Sequence, residues 1–266
     1  MLAILVPLFG TADDERDARR VKMLEQMLTV ARGTKVAFAE GTGEVSLVEK
    51  PTFRYDDQPR RLIDATVWTW MYDGRPIAFQ KIEALDRDSK QWQICFTSLA
   101  EHPLQVQWDG GRKYQSKEAG VTYRAVPAAP ALAQGNLERR KQLRELARSF
   151  SARILLDSRG KDSQEMRFLT TPLIEFDDAK TKLLDGAVFG YSTNGTNPDL
   201  LIVFLARPAQ GKPAWHFAPA RMTTGGITVS YGKKPVWECS FTEPGENSFP
   251  TWTYFQTIRP DANENK

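Results

Sequence analysis

Residues 51–74 and 172–195 align without a gap at a constant offset of 121, and this internal echo narrows the choice of folds more than any other property of the chain. Seven of the 24 positions are identical: Pro51/Pro172, Asp56/Asp177, Asp57/Asp178, Leu62/Leu183, Asp64/Asp185, Val67/Val188 and Gly74/Gly195. Conservative pairs stand between them, among them Tyr55/Phe176, Trp68/Phe189 and Trp70/Tyr191. The match then resumes after single-residue insertions. Pro76 meets Pro198, Trp92 meets Trp215, and Leu104, Val106 and Trp108 meet Ile227, Val229 and Tyr231. Insertions confined to turns, with hydrophobic class kept on either side, mark a repeated structural unit.

Within each copy the pattern is that of strands. Thr66, Trp68 and Trp70 recur at period two and share one strand face, as do Ala187, Phe189 and Tyr191. Asp73-Gly74 and Asn194-Gly195 are hairpin signals, because both residue types tolerate positive φ. Strands are expected next over 77–85 and 200–206, then one with Trp92, Ile94 and Phe96 on one side, then one with Leu104, Val106 and Trp108 inward. Each copy opens with a helical stripe: Val21, Leu24, Leu28 and Ala31 in the first, Leu143, Leu146, Ala147, Phe150 and Ile154 in the second, with Asn136 as N-cap. An amphipathic helix needs an apolar surface, and the aromatic strand face supplies one.

The expected class is α+β, a tandem duplication of a helix plus antiparallel β-meander unit with pseudo-twofold symmetry. Residues 200–205 are apolar on both faces, so the two units are expected to pack through that strand. The boundaries follow: 1–12 a remnant of a signal peptide, 13–125 the first unit, 126–135 a Pro/Ala connection, 136–245 the second unit, and 246–266 a C-terminal tail. The leader reading rests on a short apolar run with Gly10 and Ala12 at the −3 and −1 positions of cleavage and charge at Asp13. The competing reading is an ordinary buried N-terminal segment. Export places the chain in the periplasm or outside the cell; otherwise it is cytoplasmic.

Charge limits the partners. Thirty-six Lys and Arg against 33 Asp and Glu leave a formal +3, short of the concentrated positive field of a dedicated nucleic-acid binder. No stretch reaches about 18 apolar residues, so no transmembrane helix is expected. Cys95 and Cys239 form no C-x-x-C motif, and the sequence leaves open whether they pair.

Four stretches carry a likeness to known proteins: Thr66-Val-Trp-Thr-Trp-Met-Tyr-Asp-Gly-Arg-Pro76, Leu146-Ala-Arg-Ser-Phe-Ser-Ala152, Asp185-Gly-Ala-Val-Phe-Gly-Tyr191 with Gly195-Thr-Asn-Pro198, and Ala220-Arg-Met-Thr223. In these the chain resembles a family of exported planctomycete proteins of unknown function. The resemblance implies compartment and supplies no mechanism.

Two polar patterns are candidates for chemistry. Asp56, Asp57 and Asp64 recur as Asp177, Asp178 and Asp185; clustered carboxylates hold hard cations or work as acid/base pairs, whereas at a strand end they more simply cap a turn, with Arg61 or Lys182 as partner. On the capping reading, replacing Asp56 or Asp177 changes stability and no metal binds. Arg140, Arg144 and Arg148 stand one helical turn apart, a stripe that meets an acidic partner or is a solvated face. His102 and His216 do not correspond between the copies, and neither has a nucleophile elbow or an H-E-x-x-H pattern. No catalytic residue, metal or cofactor is assigned. The expectation is a non-catalytic exported binding or scaffold protein with a protein or cell-envelope partner. The alternatives are a hydrolase using the repeated aspartates in a cleft between units, and a carrier of an apolar ligand.

Overall fold

The alternation read in the sequence is realised in antiparallel sheets. The computed structural model describes residues 12–86, 91–178, 183–209, 212–243 and 247–259. The leader expectation falls on residues 1–11, outside the described residues, and on Ala12, which opens a helix. The first half contains α1 (Ala12–Arg32), β1 (Lys35–Phe38), β2 (Ser46–Leu47), β3 (Phe53–Asp57), β4 (Leu62–Tyr72), β5 (Arg75–Leu85), β6 (Gln91–Ser98), β7 (Leu104–Gln107), β8 (Lys113–Gln115) and β9 (Arg124–Ala125). The second contains α2 (Asn136–Arg148), β10 (Phe150–Leu155), β11 (Ser163–Glu165), β12 (Arg167–Phe168), β13 (Ile174–Asp178), β14 (Leu183–Ser192), β15 (Leu200–Ala209), β16 (Lys212–Arg221), β17 (Gly226–Tyr231) and β18 (Lys234–Cys239). Two further strands follow, β19 (Asn247–Ser248) and β20 (Trp252–Ile258). The class is α+β. Among the described residues no helix is long and apolar enough to cross a membrane.

One large sheet runs β19-β20-β6-β5-β4-β2, with β3 also on β4; the other runs β12-β14-β15-β16-β9, with β13 also on β14. Two small sheets, β1-β7-β8 and β11-β10-β17-β18, stand apart from them. The ladders of the two halves have matching registers. Phe53 faces Val67 and Ile174 faces Val188, and a register shift follows Tyr55 in one pair and Phe176 in the other. Ser46 opposite Met71 has its counterpart in Arg167 opposite Ser192, and Gln105 opposite Gln115 in Thr228 opposite Glu238.

The layers follow from period two. Odd-numbered residues of β15, Leu201, Val203 and Leu205, join Val67, Phe79 and Cys95 in a core between the large sheets. Even-numbered Leu200, Ile202 and Phe204 face α2 with Phe189, Trp215 and Phe217. On the first sheet Trp68, Trp70, Trp92 and Phe96 lie under Met23, Met27 and Ala31 of α1, under Leu104 and Val106 of the small sheet and under Trp108 just beyond β7. Packing through the strand at 200–205, expected from its apolar character on both faces, is what the structure has.

Several expectations need correction. The fourth strand, β7, does not extend the meander but pairs with β1 in a separate sheet. Alternation states which residues face inward, and it does not state which sheet a strand joins. The buried stripe of α1 is Met23, Met27 and Ala31, with Val21 57% exposed; thioether side chains fill the gap over the bulky indoles. Helix α2 ends at Arg148, so Phe150 and Ile154 belong to β10, and Gly135 rather than Asn136 is the N-cap. Asp73 and Gly74 both have positive φ, 46° and 75°, and make the two-residue turn. Asn194-Gly195 instead sits in a longer loop, 193–199. Within the expected tail 246–266, residues 252–258 are a sheet strand, because β20 pairs with β6 from Trp252 opposite Thr97 to Ile258 opposite Gln91.

Candidate functional site

The repeated aspartates do not gather. Asp64, at the inward side of β4, accepts from Arg54 Nε at 2.8 Å, and a second Arg54 nitrogen bonds its other oxygen. That same Arg54 donates to the Arg20 carbonyl of α1 at 2.6 Å. Asp185 bonds Arg139 of α2, whose Nη1 also donates to the Gln134 carbonyl at 2.7 Å. Each buried carboxylate therefore anchors its own helix to its own sheet. Asp56 and Asp177 are exposed, which removes the reason to expect them to matter for stability. The side chain of Asp178 lies outside the described residues. Arg61, offered as a partner for the aspartate pair, bonds Asp86 instead, and Lys182 lies outside the described residues.

The arginine stripe is partly answered. Glu175 on β13 stands 3.0 Å from Arg144 and 3.6 Å from Arg140, and Arg140 is 3.9 Å from Asp185. Arg148 is exposed. Glu175 stands at the ladder position in its sheet that Arg54 holds in the first half, so the sheet residues at these two positions carry opposite charge.

A denser polar cluster lies where no repeat pointed. The loop 193–199 brings Thr193, Asn197 and Asp199 against β3, β5 and the 3-10 turn Gln58–Arg60. Arg60 grips Asp199 with two nitrogens, at 2.7 and 2.8 Å, and Asp199 also accepts from the Thr193 amide at 3.0 Å and hydroxyl at 2.6 Å. Burial alone would push the Asp199 carboxyl up, but the Arg60 bonds and charge, Lys81 and the Thr193 hydroxyl together hold it below the usual range. Lys81 Nζ donates to Asn197 Oδ1 at 3.0 Å, and Glu83 accepts from the Tyr55 hydroxyl at 2.6 Å. Asp57, which precedes the 3-10 turn, makes no side-chain capping bond. The cluster lies between the sheets, with Asp57, Lys81, Glu83 and Asp199 each at most 3% exposed and Arg60 half-buried at its rim.

Open clefts reach solvent, two of them of about 970 and 530 Å³. The larger, about 970 Å³, lies at the β4–β5 turn and is lined by Phe38, Tyr72, Arg75, His102, Lys117 and Tyr123 among others. Phe38 and Tyr72 meet edge to face at 4.8 Å, and Arg207 from the second half lies 4.8 Å over the Tyr123 ring while holding Glu101 at 2.8 Å. The smaller, about 530 Å³, is bordered by Arg221 and Trp237 and by Trp252, over whose ring the Arg221 guanidinium sits at 4.9 Å. Compared with protein-family models, with curated proteins and with solved structures, the chain matches none.

What the site can do is therefore read from its own atoms. Among the described residues no group of three or more His, Cys, Asp or Glu is placed to hold a metal ion. His216 is nearly buried, with Nδ1 3.0 Å from the Ala214 carbonyl, and burial pulls its pKa down. Its ring is thus occupied by a structural bond, while His102 is exposed at the larger cleft. Cys95 and Cys239 are free thiols, and burial pushes Cys95 up to about 12. Sequence reasoning missed Arg60, Lys81, Glu83, Asn197 and Asp199. The signal was present where the halves disagree: Lys81 and Glu83 occupy inward positions filled by Val203 and Leu205 in the second half, and the loop 193–199 is longer than its counterpart turn.

Proposed function

We propose that this protein is a non-catalytic exported binding module, made by tandem duplication of one helix-and-sheet unit, whose partner is a component of the cell envelope seated in the 970 Å³ cleft. One observation carries the reading: the aromatic face of each sheet is covered by its own helix and small sheet, while half-buried Phe38, Tyr72 and Tyr123 line an open cleft. Aromatic faces covered by their own helices weigh against the carrier reading, and Asp64 and Asp185, each bonded to its own arginine, weigh against a hydrolase built on that repeated pair. Half-buried aromatic rings beside mixed charge suit recognition, since they offer apolar area at small entropic cost with polar groups to set orientation. The duplication is supported by the matching ladder registers and by the paired anchors at Asp64 and Asp185. Export rests on the apolar start of the chain and on the planctomycete resemblance.

The test is cosedimentation of the full chain with isolated cell envelopes, set beside the variants Tyr72→Ala and Lys117→Glu. Wild type is expected in the pellet and both variants largely in the supernatant, with all three equally folded by circular dichroism. Equal sedimentation of all three, or none by any, rejects the cleft as the binding site.

A further inference from the structure

Three carboxylates and Lys81 are buried in the joint between the large sheets, Arg60 closes it from the rim with its side chain 30% exposed, and one carboxylate has no hydrogen bond. Arg60 commits both terminal nitrogens to Asp199. Lys81 is held by Asn197 and by the Pro198 carbonyl at 3.3 Å, and stands 3.6 Å from Glu83. Glu83 is bonded by Tyr55 and, at 3.3 Å, by the Asn197 amide. Asp57 remains. Its side chain is 0% exposed, neither oxygen has a hydrogen-bond partner, and the Arg60 Nε beside it lies 3.5 Å away on a guanidinium already shared.

We infer that Asp57 is a proton-binding site at this joint, taking up a proton as pH falls through a range where the unfolded chain still releases it, so that the two sheets hold together most firmly in mild acid. The physical reason is charge balance in a dry place. Fully ionised, the cluster carries one more negative charge than positive, and an unpaired buried charge is costly. A neutral Asp57 removes the excess and breaks no hydrogen bond of ordinary geometry, giving up only the 3.5 Å approach of Arg60 Nε and the weaker pull of the Arg60 backbone N–H and the Asn197 amide. Burial pushes the Asp57 carboxyl up, opposed by the charge of Arg60, its backbone and Asn197, and aided by the negative Asp199. The other groups facing the joint are Tyr55 on β3, Lys81 and Glu83 on β5, and the thiol of Cys95 on β6. A carboxyl raised by folding lowers stability when ionised, so its penalty is absent below the ordinary value of 3.8 and grows as pH rises to the folded value.

Carbon-detected NMR of the full chain follows the Asp57 carboxyl directly. A titration midpoint clearly above 3.8 is expected, and one at or below 3.8 overturns the inference. Melting of Asp57→Asn against wild type from about pH 3 to about pH 8 gives an independent reading. The variant's melting temperature is expected to gain on wild type as pH rises and then level off; a difference that is flat or falls with pH overturns it. If the variant does not fold, the NMR midpoint decides alone.

Discussion

At the residue scale, identical aspartates have three different fates, and burial with a partner separates them. Asp56 and Asp177 point to solvent, Asp57 is buried without a bond, and Asp64 and Asp185 are buried in charge-assisted bonds to arginines that reach the helices. Hydrogen bonds to charged groups are worth about 1.5–3 kcal/mol, and cutting one partner leaves a desolvated arginine behind. Asp64→Ala and Asp185→Ala are each expected to lower the urea unfolding free energy by about 1–3 kcal/mol. Asp56→Ala, as an exposed control, should stay within about 0.5 kcal/mol. Equal effects from all three would show that the anchors do not hold the helices.

At the element scale, strand edges govern how the halves are closed. The outer edge of β6 is covered along its length by β20, whereas β9 covers β16 only at His216 and Phe217. The carbonyl of Trp215 accepts from Val126 on that open side, so alternation points the backbone of residues 213 and 219 the same way. Both are prolines, which have no N–H to offer, so this edge is a poor template for pairing with another chain. Strand β20 also brings Phe255 onto Trp108 at 4.9 Å and stacks Trp252 on Phe249 at 4.5 Å. A chain ending at residue 250 should therefore lose cooperative thermal unfolding and self-associate in light scattering, since it bares the β6 edge and an aromatic surface together. A truncated chain that melts sharply as a monomer would show that β20 is dispensable.

For the molecule as a whole, the polar joint sets how the two large sheets answer pH. Arg60 and Asp199 come from opposite halves, and removing one member of a buried pair typically costs about 3–5 kcal/mol because the other is left unpaired. Asp199→Asn should thus destabilise the whole chain at neutral pH, with one cooperative transition for both halves. Folding depresses the Asp199 carboxyl, so the stability it contributes is present above the ordinary carboxylate range and is lost as pH falls through the folded value. The gap between wild type and Asp199→Asn in unfolding free energy is expected to shrink on acidification, opposite in sign to Asp57. A gap that widens in acid would contradict the pairing.

The sequence by itself determined the α+β class, the inward faces of the central strands, the strand apolar on both sides and the turn at Asp73-Gly74. These depend on period and local conformation, which a single segment carries. Only the tertiary structure decided that β7 leaves the meander, that residues 252–258 return to the first sheet, and that aspartates of one motif part company. It also joined Arg60, Lys81 and Glu83 to Asn197 and Asp199, residues more than a hundred positions apart. Such partners are chosen by which faces meet when two sheets pack, and no spacing within one strand encodes that choice.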